Sequence, residues 1–93
     1  MSHKRRSKMH ILLDMLMTIE RKGGAAKPTH ILYGANLSHK RLKEYLEFLL
    51  AKGFIEETES RGRLYYRITE KGSSFVREFE KIEELSSAFG IPF

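Results

Sequence analysis

The 93-residue sequence predicts a mostly helical α+β fold: a helix–turn–helix, a two-stranded β-hairpin directly behind it, and a closing helix. Three observations predict it. Apolar residues recur at helical spacing over residues 8–22, 38–52 and 70–88. The period drops to two between Phe54 and Ile68, on either side of Ser60-Arg61-Gly62-Arg63. Pro28 to Ser38 (PTHILYGANLS) holds a short helix and a Gly-Ala-Asn turn ahead of the second long helix.

The first helix spans about Lys8 to Lys22, with Ser2 or Ser7 as its cap and Gly23-Gly24 as its end. Met9, Leu12, Leu13, Leu16 and Ile19 form its apolar face, and Ile11, Met15 and Met17 widen it. A stripe that wide suits a helix covered on more than one side. Ala25–Lys27 is long enough only for a bridging extended segment. Pro28 suits the first position of a short helix reaching Tyr33, because its missing N–H would be unpaired there anyway. Gly34 and Asn36 tolerate the left-handed backbone that a sharp turn needs.

The next helix has both ends marked. Ser38 is an N-cap, Leu37 and Leu42 can staple the entry, and Leu42, Tyr45, Leu46 and Leu49 repeat on one face. Gly53 and Phe54 follow Lys52 as in a Schellman ending. The opposite face carries His39, Lys40, Lys43, Glu44 and Glu47, with Arg41 on the flank. Cations in a first turn oppose the helix dipole by roughly 0.3–1 kcal/mol each. A chain tuned only for stability would favour acids there, so the pattern points to an incoming anion such as a DNA phosphate or a guanine edge.

Phe54–Ser60 and Leu64–Ile68 then form a hairpin. A hairpin behind a recognition helix is the wing of a winged helix–turn–helix, and Arg61 and Arg63 at its tip suit a phosphate or a minor groove. Glu56, Glu57 and Glu59 behind the tip are available to those arginines when no DNA is present. Thr69 caps the last helix, Glu70 to about Ala88. Phe75, Phe79, Ile82 and Phe89 follow a 4-3-7 spacing, with Ser86 at the skipped seam position and Val76 and Leu85 beside it. The stripe fits a dimerisation helix; folding back on the first helix would satisfy the same pattern.

Charge supports this division. Net charge is +5 with a pI near 9.6. Residues 1–63 hold 13 Lys/Arg against 7 Asp/Glu, net +6, and residues 64–93 hold 4 against 5, net −1. The expectation is one winged DNA-binding unit over residues 1–69, including a basic arm of Lys4, Arg5 and Arg6, and a dimerisation helix and tail over 70–93. The expected partners are double-stranded DNA and a second copy of the chain. A winged helix serving only protein contacts is the alternative, and it would put apolar residues on the exposed face of the 38–52 helix.

Other classes find little support. Cysteine is absent, so there is neither a disulfide framework nor a thiolate metal site. His3, His10, His30 and His39 lack zinc-type spacing. Ser38 and His39 are neighbours with no third catalytic member. Glu56 and Glu57 point to opposite faces of one strand, and no phosphate-binding loop is present. No enzyme activity, metal or cofactor is expected. The apolar run after the basic N-terminus is broken by Asp14 and closed by Glu20 and Arg21, so it reads as an amphipathic helix and not as a leader. No run of 18 apolar residues exists, and a cytoplasmic, nucleoid-associated protein is expected.

Ile31, Leu32, Tyr33, Gly34, Ala35, Asn36, Leu37 and Ser38 resemble the Ile-Met/Leu-Tyr-Gly-Ala-Asn-Leu-Ser run of the small archaeal winged-helix DNA-binding proteins typified by the "10a" chromatin proteins. Thr69-Glu70-Lys71-Gly72 is similar too, though that piece is common among winged helices. The resemblance covers roughly residues 8–80. It implies a homodimer joined through the C-terminal helix, often as an antiparallel coiled coil, with the winged units presented to DNA. The terminal helix here is shorter than in that type, and the wing is longer and more basic at its tip.

Overall fold

The computed structural model describes residues 7–92. Its order is α1 (Lys8–Arg21), β1 (Ala25–Ala26), α2 (Pro28–Gly34), α3 (His39–Ala51), β2 (Ile55–Ser60), β3 (Arg63–Ile68) and α4 (Glu70–Phe89). This is the expected winged helix–turn–helix with one added strand. Ala25 and Ala26 pair antiparallel with Arg67 and Tyr66, so the hairpin becomes a sheet of order β1-β3-β2. Two alanines carry no β signal of their own. Their pairing is decided by β3, whose Ile68 N–H donates to the Gly24 carbonyl at 2.9 Å.

Helix α1 is the central post. Ile11, Leu12, Leu13, Met15, Leu16 and Ile19 are all buried, against α2, α4 and the sheet. Met15 lies at the centre of this face, not on its flank, whereas Met9, the second residue of the helix, is nearly half exposed. Ser7 is the cap: its Oγ accepts the His10 N–H at 3.2 Å. Thr18 is the buried polar residue of the core. Its hydroxyl is satisfied, donating to the Asp14 carbonyl at 2.7 Å and accepting from the Arg21 guanidinium at 3.1 Å.

Thr18 also explains Gly34. The turn needs a left-handed residue, but that residue is Asn36, at φ 54°. Gly34 is the last residue of α2, and a Cβ there would lie 2.5 Å from Thr18 Cγ2. Its hydrogen lets α2 press on α1, a reason that turn chemistry alone does not reveal.

The end of α3 and the start of α4 are clasped together. Gly53 and Phe54 close α3 in a Schellman ending, with N–H bonds to the Leu50 and Leu49 carbonyls at 3.1 and 3.0 Å. The Thr69 hydroxyl accepts the Gly72 N–H at 3.1 Å and donates to the Gly53 carbonyl at 2.6 Å. The Lys71 ammonium donates to the Lys52 carbonyl at 2.6 Å and sits 5.0 Å from the Phe54 ring centroid. A Cβ on Gly72 would lie 2.3 Å from the Phe54 carbonyl oxygen, which is backbone and cannot rotate away. Gly72→Ala is therefore expected to cost about 2–3 kcal/mol, within the range for overpacking. A urea midpoint unchanged from wild type would show that α4 shifts freely.

Helix α4 divides in two. Gly72, Val76 and Phe79 are buried, and Phe75 stacks on Phe54 with ring centroids 5.1 Å apart. Beyond Phe79 the helix leaves the core. The radius of gyration, 14.0 Å, exceeds the roughly 12 Å of a compact chain of this length, and the longest axis is 47 Å. No helix among the described residues is long and apolar enough to cross a membrane.

Candidate nucleic-acid interface

Ser38 has extended backbone, and its Oγ accepts the Arg41 N–H at 3.2 Å, which fixes where α3 begins. From that start Leu42, Leu46 and Leu49 turn into the core. The same rotation sends His39, Lys40, Arg41, Lys43, Glu44 and Glu47 to solvent. The first turn contains no acid, so the positive end of the dipole meets Lys40 and Arg41 beside His39. Ser38, His39, Lys40, Arg41 and Lys43 are thus all exposed.

The wing stands beside it. Ser60 and Arg63 pair across the end of the hairpin, leaving Arg61 and Gly62 as a two-residue turn with φ 53° and 75°. Positive φ at both positions is the type I′ geometry that matches the twist of a hairpin. Arginine is a poor choice for the first position, where Gly has no Cβ to clash with the backbone and Asn or Asp offsets the clash with a local side-chain hydrogen bond. Arg61→Asn is expected to raise stability by about 0.5–1 kcal/mol while removing a cation from the tip. A urea denaturation series checks the first effect, and loss of stability would contradict it. Among the described residues Arg61 and Arg63 make no ion pair. The wing's own pair is Arg67–Glu56 at 3.1 Å, on the hairpin face away from α3.

A cleft of about 310 Å³ joins the two surfaces, lined by His39, Lys43, Leu46, Glu47, Glu57 and Tyr66 among others. Burial, and then the Glu57 carboxylate, push the Tyr66 phenol above its ordinary pKa. Glu57 and Glu47 bring negative charge to a basic surface. The wing tip lies three residues beyond Tyr66, or about 10 Å further along the strand.

The remaining expected residues are distributed differently. Lys4, Arg5 and Arg6 lie outside the described residues. Of the four seam residues on α4, Phe79 is 8% exposed and packs in the chain's own core, and Phe75 is half-buried there too. Ile82 and Phe89 are 51% and 69% exposed, and with Leu85, Ser86, Ile91 and Pro92 they line an apolar groove of about 400 Å³. Leu85 and Ile91 belong to this surface more fully than Phe75 or Phe79. Both halves of α4 are apolar at helical spacing, and the positions of α1, Phe54 and β3 decide which half is covered.

One exposed residue escaped the sequence reading. Tyr33 is 78% exposed at the end of α2. Inside an Ile-Leu-Tyr run it resembles a core residue, but Ile31 and Leu32 take the core positions. The available signal was its spacing from Thr29, which puts both on the polar face of α2.

Known proteins share this arrangement. A solved structure, Sso10a-2, a DNA-binding protein from Sulfolobus solfataricus, is 32% identical with a TM-score of 0.72, over 91% of this chain and 90% of that one. F93 from STIV, a winged-helix DNA-binding protein, has the same TM-score over 86% of this chain and 92% of that one. At 14% identity it speaks for the fold alone. The uncharacterized protein MJ0290 of Methanocaldococcus jannaschii is 35% identical over 81 residues, which cover 87% of this chain and only 34% of that longer protein. A family model described as winged helix-turn-helix matches residues 5–87, from ahead of α1 to near the end of α4. With that match and this architecture, the chain belongs to the winged helix-turn-helix family.

Proposed function

We propose that the protein binds double-stranded DNA as a homodimer and acts as a transcriptional regulator or chromatin-associated protein in the cytoplasm. One observation carries the reading: exposed His39, Lys40, Arg41 and Lys43 crowd the N-terminal end of α3, against its dipole and without an acid in the first turn. The arrangement destabilises the isolated helix and becomes favourable when phosphates supply the missing negative charge. A surface meant for protein contacts would carry apolar residues there, and the exposed residues from His39 to Glu47 are all polar, with Leu50 and Ala51 only at the far end.

In this reading α3 enters the major groove. His39, Lys40 and Lys43 face base edges and phosphates, Arg41 a flanking phosphate, and Arg61 and Arg63 the neighbouring backbone or minor groove. Ser38 keeps its hydroxyl proton available for a phosphate while its oxygen caps the helix. Lys4, Arg5 and Arg6 add sequence-independent grip. Residues 1–69 read DNA and residues 70–93 join two copies through Ile82, Phe89 and their neighbours, with Val76 and Phe79 rooting the helix. A groove rimmed by Ile82, Leu85 and Phe89 on a projecting helix suits a second copy of itself.

A salt titration tests the reading, using one random duplex and one from upstream of the protein's own gene. Steep salt dependence with equal affinities identifies a coating, chromatin-type protein. A preference of roughly 10³-fold for the upstream duplex identifies a sequence-specific regulator. Absence of binding to either at low salt rejects DNA as the partner.

A further inference from the structure

We infer that Tyr33 is a DNA-backbone contact, its phenol donating a hydrogen bond to a phosphate oxygen while its ring covers the adjoining sugar. The inference rests on the DNA-binding reading above and adds a residue from a second helix to the interface. Tyr33 is 78% exposed and is the most exposed of the chain's large apolar or aromatic residues among those described. An aromatic ring left in water contributes little to the fold, so stability does not account for its position.

The backbone that carries the ring is nevertheless held in place. On either side of it in sequence, Leu32 is buried in the core and Gly34 is pressed on Thr18, so the end of α2 cannot roll. The turn that follows is tight. The Tyr33 carbonyl accepts the Asn36 N–H at 3.2 Å, and the Leu32 carbonyl accepts the Leu37 N–H at 3.0 Å. Leu37 immediately precedes the Ser38 cap, so Tyr33 stands one compact turn from His39, Lys40 and Arg41. In a helix–turn–helix whose second helix lies in the major groove, the first helix crosses the phosphate backbone. That places an exposed residue with an anchored backbone, at the end of α2, over a phosphate. Tyrosine suits the position: it is neutral, has one donor, and loses little side-chain entropy on contact.

The test is a comparison of Tyr33→Phe and Tyr33→Ala with wild type on the random and upstream duplexes across a salt series. Tyr33→Phe is expected to weaken binding on the order of tenfold, as for a hydrogen bond to a charged group, and Tyr33→Ala somewhat more. The loss should be equal on both duplexes, because backbone contacts carry no sequence information. The salt slope should stay at its wild-type value, because a neutral donor displaces no counterion. Thermal unfolding should be unchanged in both variants. Wild-type affinity in Tyr33→Ala, while Lys40 and Lys43 still prove necessary, overturns the Tyr33 assignment alone. A change in the ratio between duplexes also overturns it, since Tyr33 would then read bases. A wild-type protein that binds neither duplex rejects it together with the reading beneath it.

Discussion

Replacing Lys40 and Lys43 together with Ala is expected to weaken duplex binding on the order of a hundredfold at low salt. That magnitude takes about 1.5 kcal/mol for each charge-assisted hydrogen bond to a phosphate. The slope of log affinity against log salt should fall by about 1.8, or 0.9 for each phosphate that is no longer neutralised. Stability should move the other way. Both side chains are exposed, and Lys40 lies in the first turn of α3, so removing it relieves roughly 0.3–1 kcal/mol and removing Lys43, one turn further in, relieves less. Weaker binding with equal or greater thermal stability separates a defect in DNA binding from a damaged fold. An unchanged salt slope would mean that phosphates lie elsewhere on the protein.

Replacing Ile82 and Phe89 together with Asp is expected to give a folded monomer. Both side chains are more than half exposed, so the domain's own core loses little. Four new carboxylates facing one another in a two-fold groove would oppose association strongly. The monomer should then lose the advantage of two linked heads, about 10²–10⁴ in affinity for a site both heads can reach. Sedimentation gives the mass, and the salt titration gives the affinity. A double variant that still sediments as a dimer would place the interface elsewhere. Phe79 is unsuitable for this test despite its place in the predicted seam. It is buried, and its ring meets the His10 ring in a T-shaped contact at 5.5 Å, so Phe79→Asp puts a carboxylate in the core.

These two experiments address different scales of the assembly. The first asks whether the N-terminal end of α3 touches DNA, and the second whether two such ends act together. The clasp of Thr69, Lys71 and Gly72 on the end of α3 lies between them. It fixes the direction in which α4 leaves the core relative to α3. In a dimer, that direction sets the spacing between the two heads, so even a folded Gly72→Ala protein should bind bivalently less well than its single-head affinity implies.

Local chemistry made much of the fold legible. Ser38, Gly53 and Thr69 mark helix ends because unpaired backbone groups need partners wherever a helix stops. The switch from a period of 3.6 to 2 at Phe54 located the wing, and the cations on α3 stand out because they oppose a dipole present in every helix. None of these signals depends on what lies across the core. The remaining features depend on distant residues. Ala25 and Ala26 become a strand only because β3 lies alongside, and Gly34 is required by Thr18 on another helix. Phe75 and Phe79 turn inward because Phe54 and His10 lie against them, while Ile82 and Phe89 remain in solvent. Tyr33 is exposed because Ile31 and Leu32 fill the space beneath α2. Periodicity shows that a face is apolar, but only the tertiary structure decides whether the same chain covers it, because close approach and burial are properties of two surfaces.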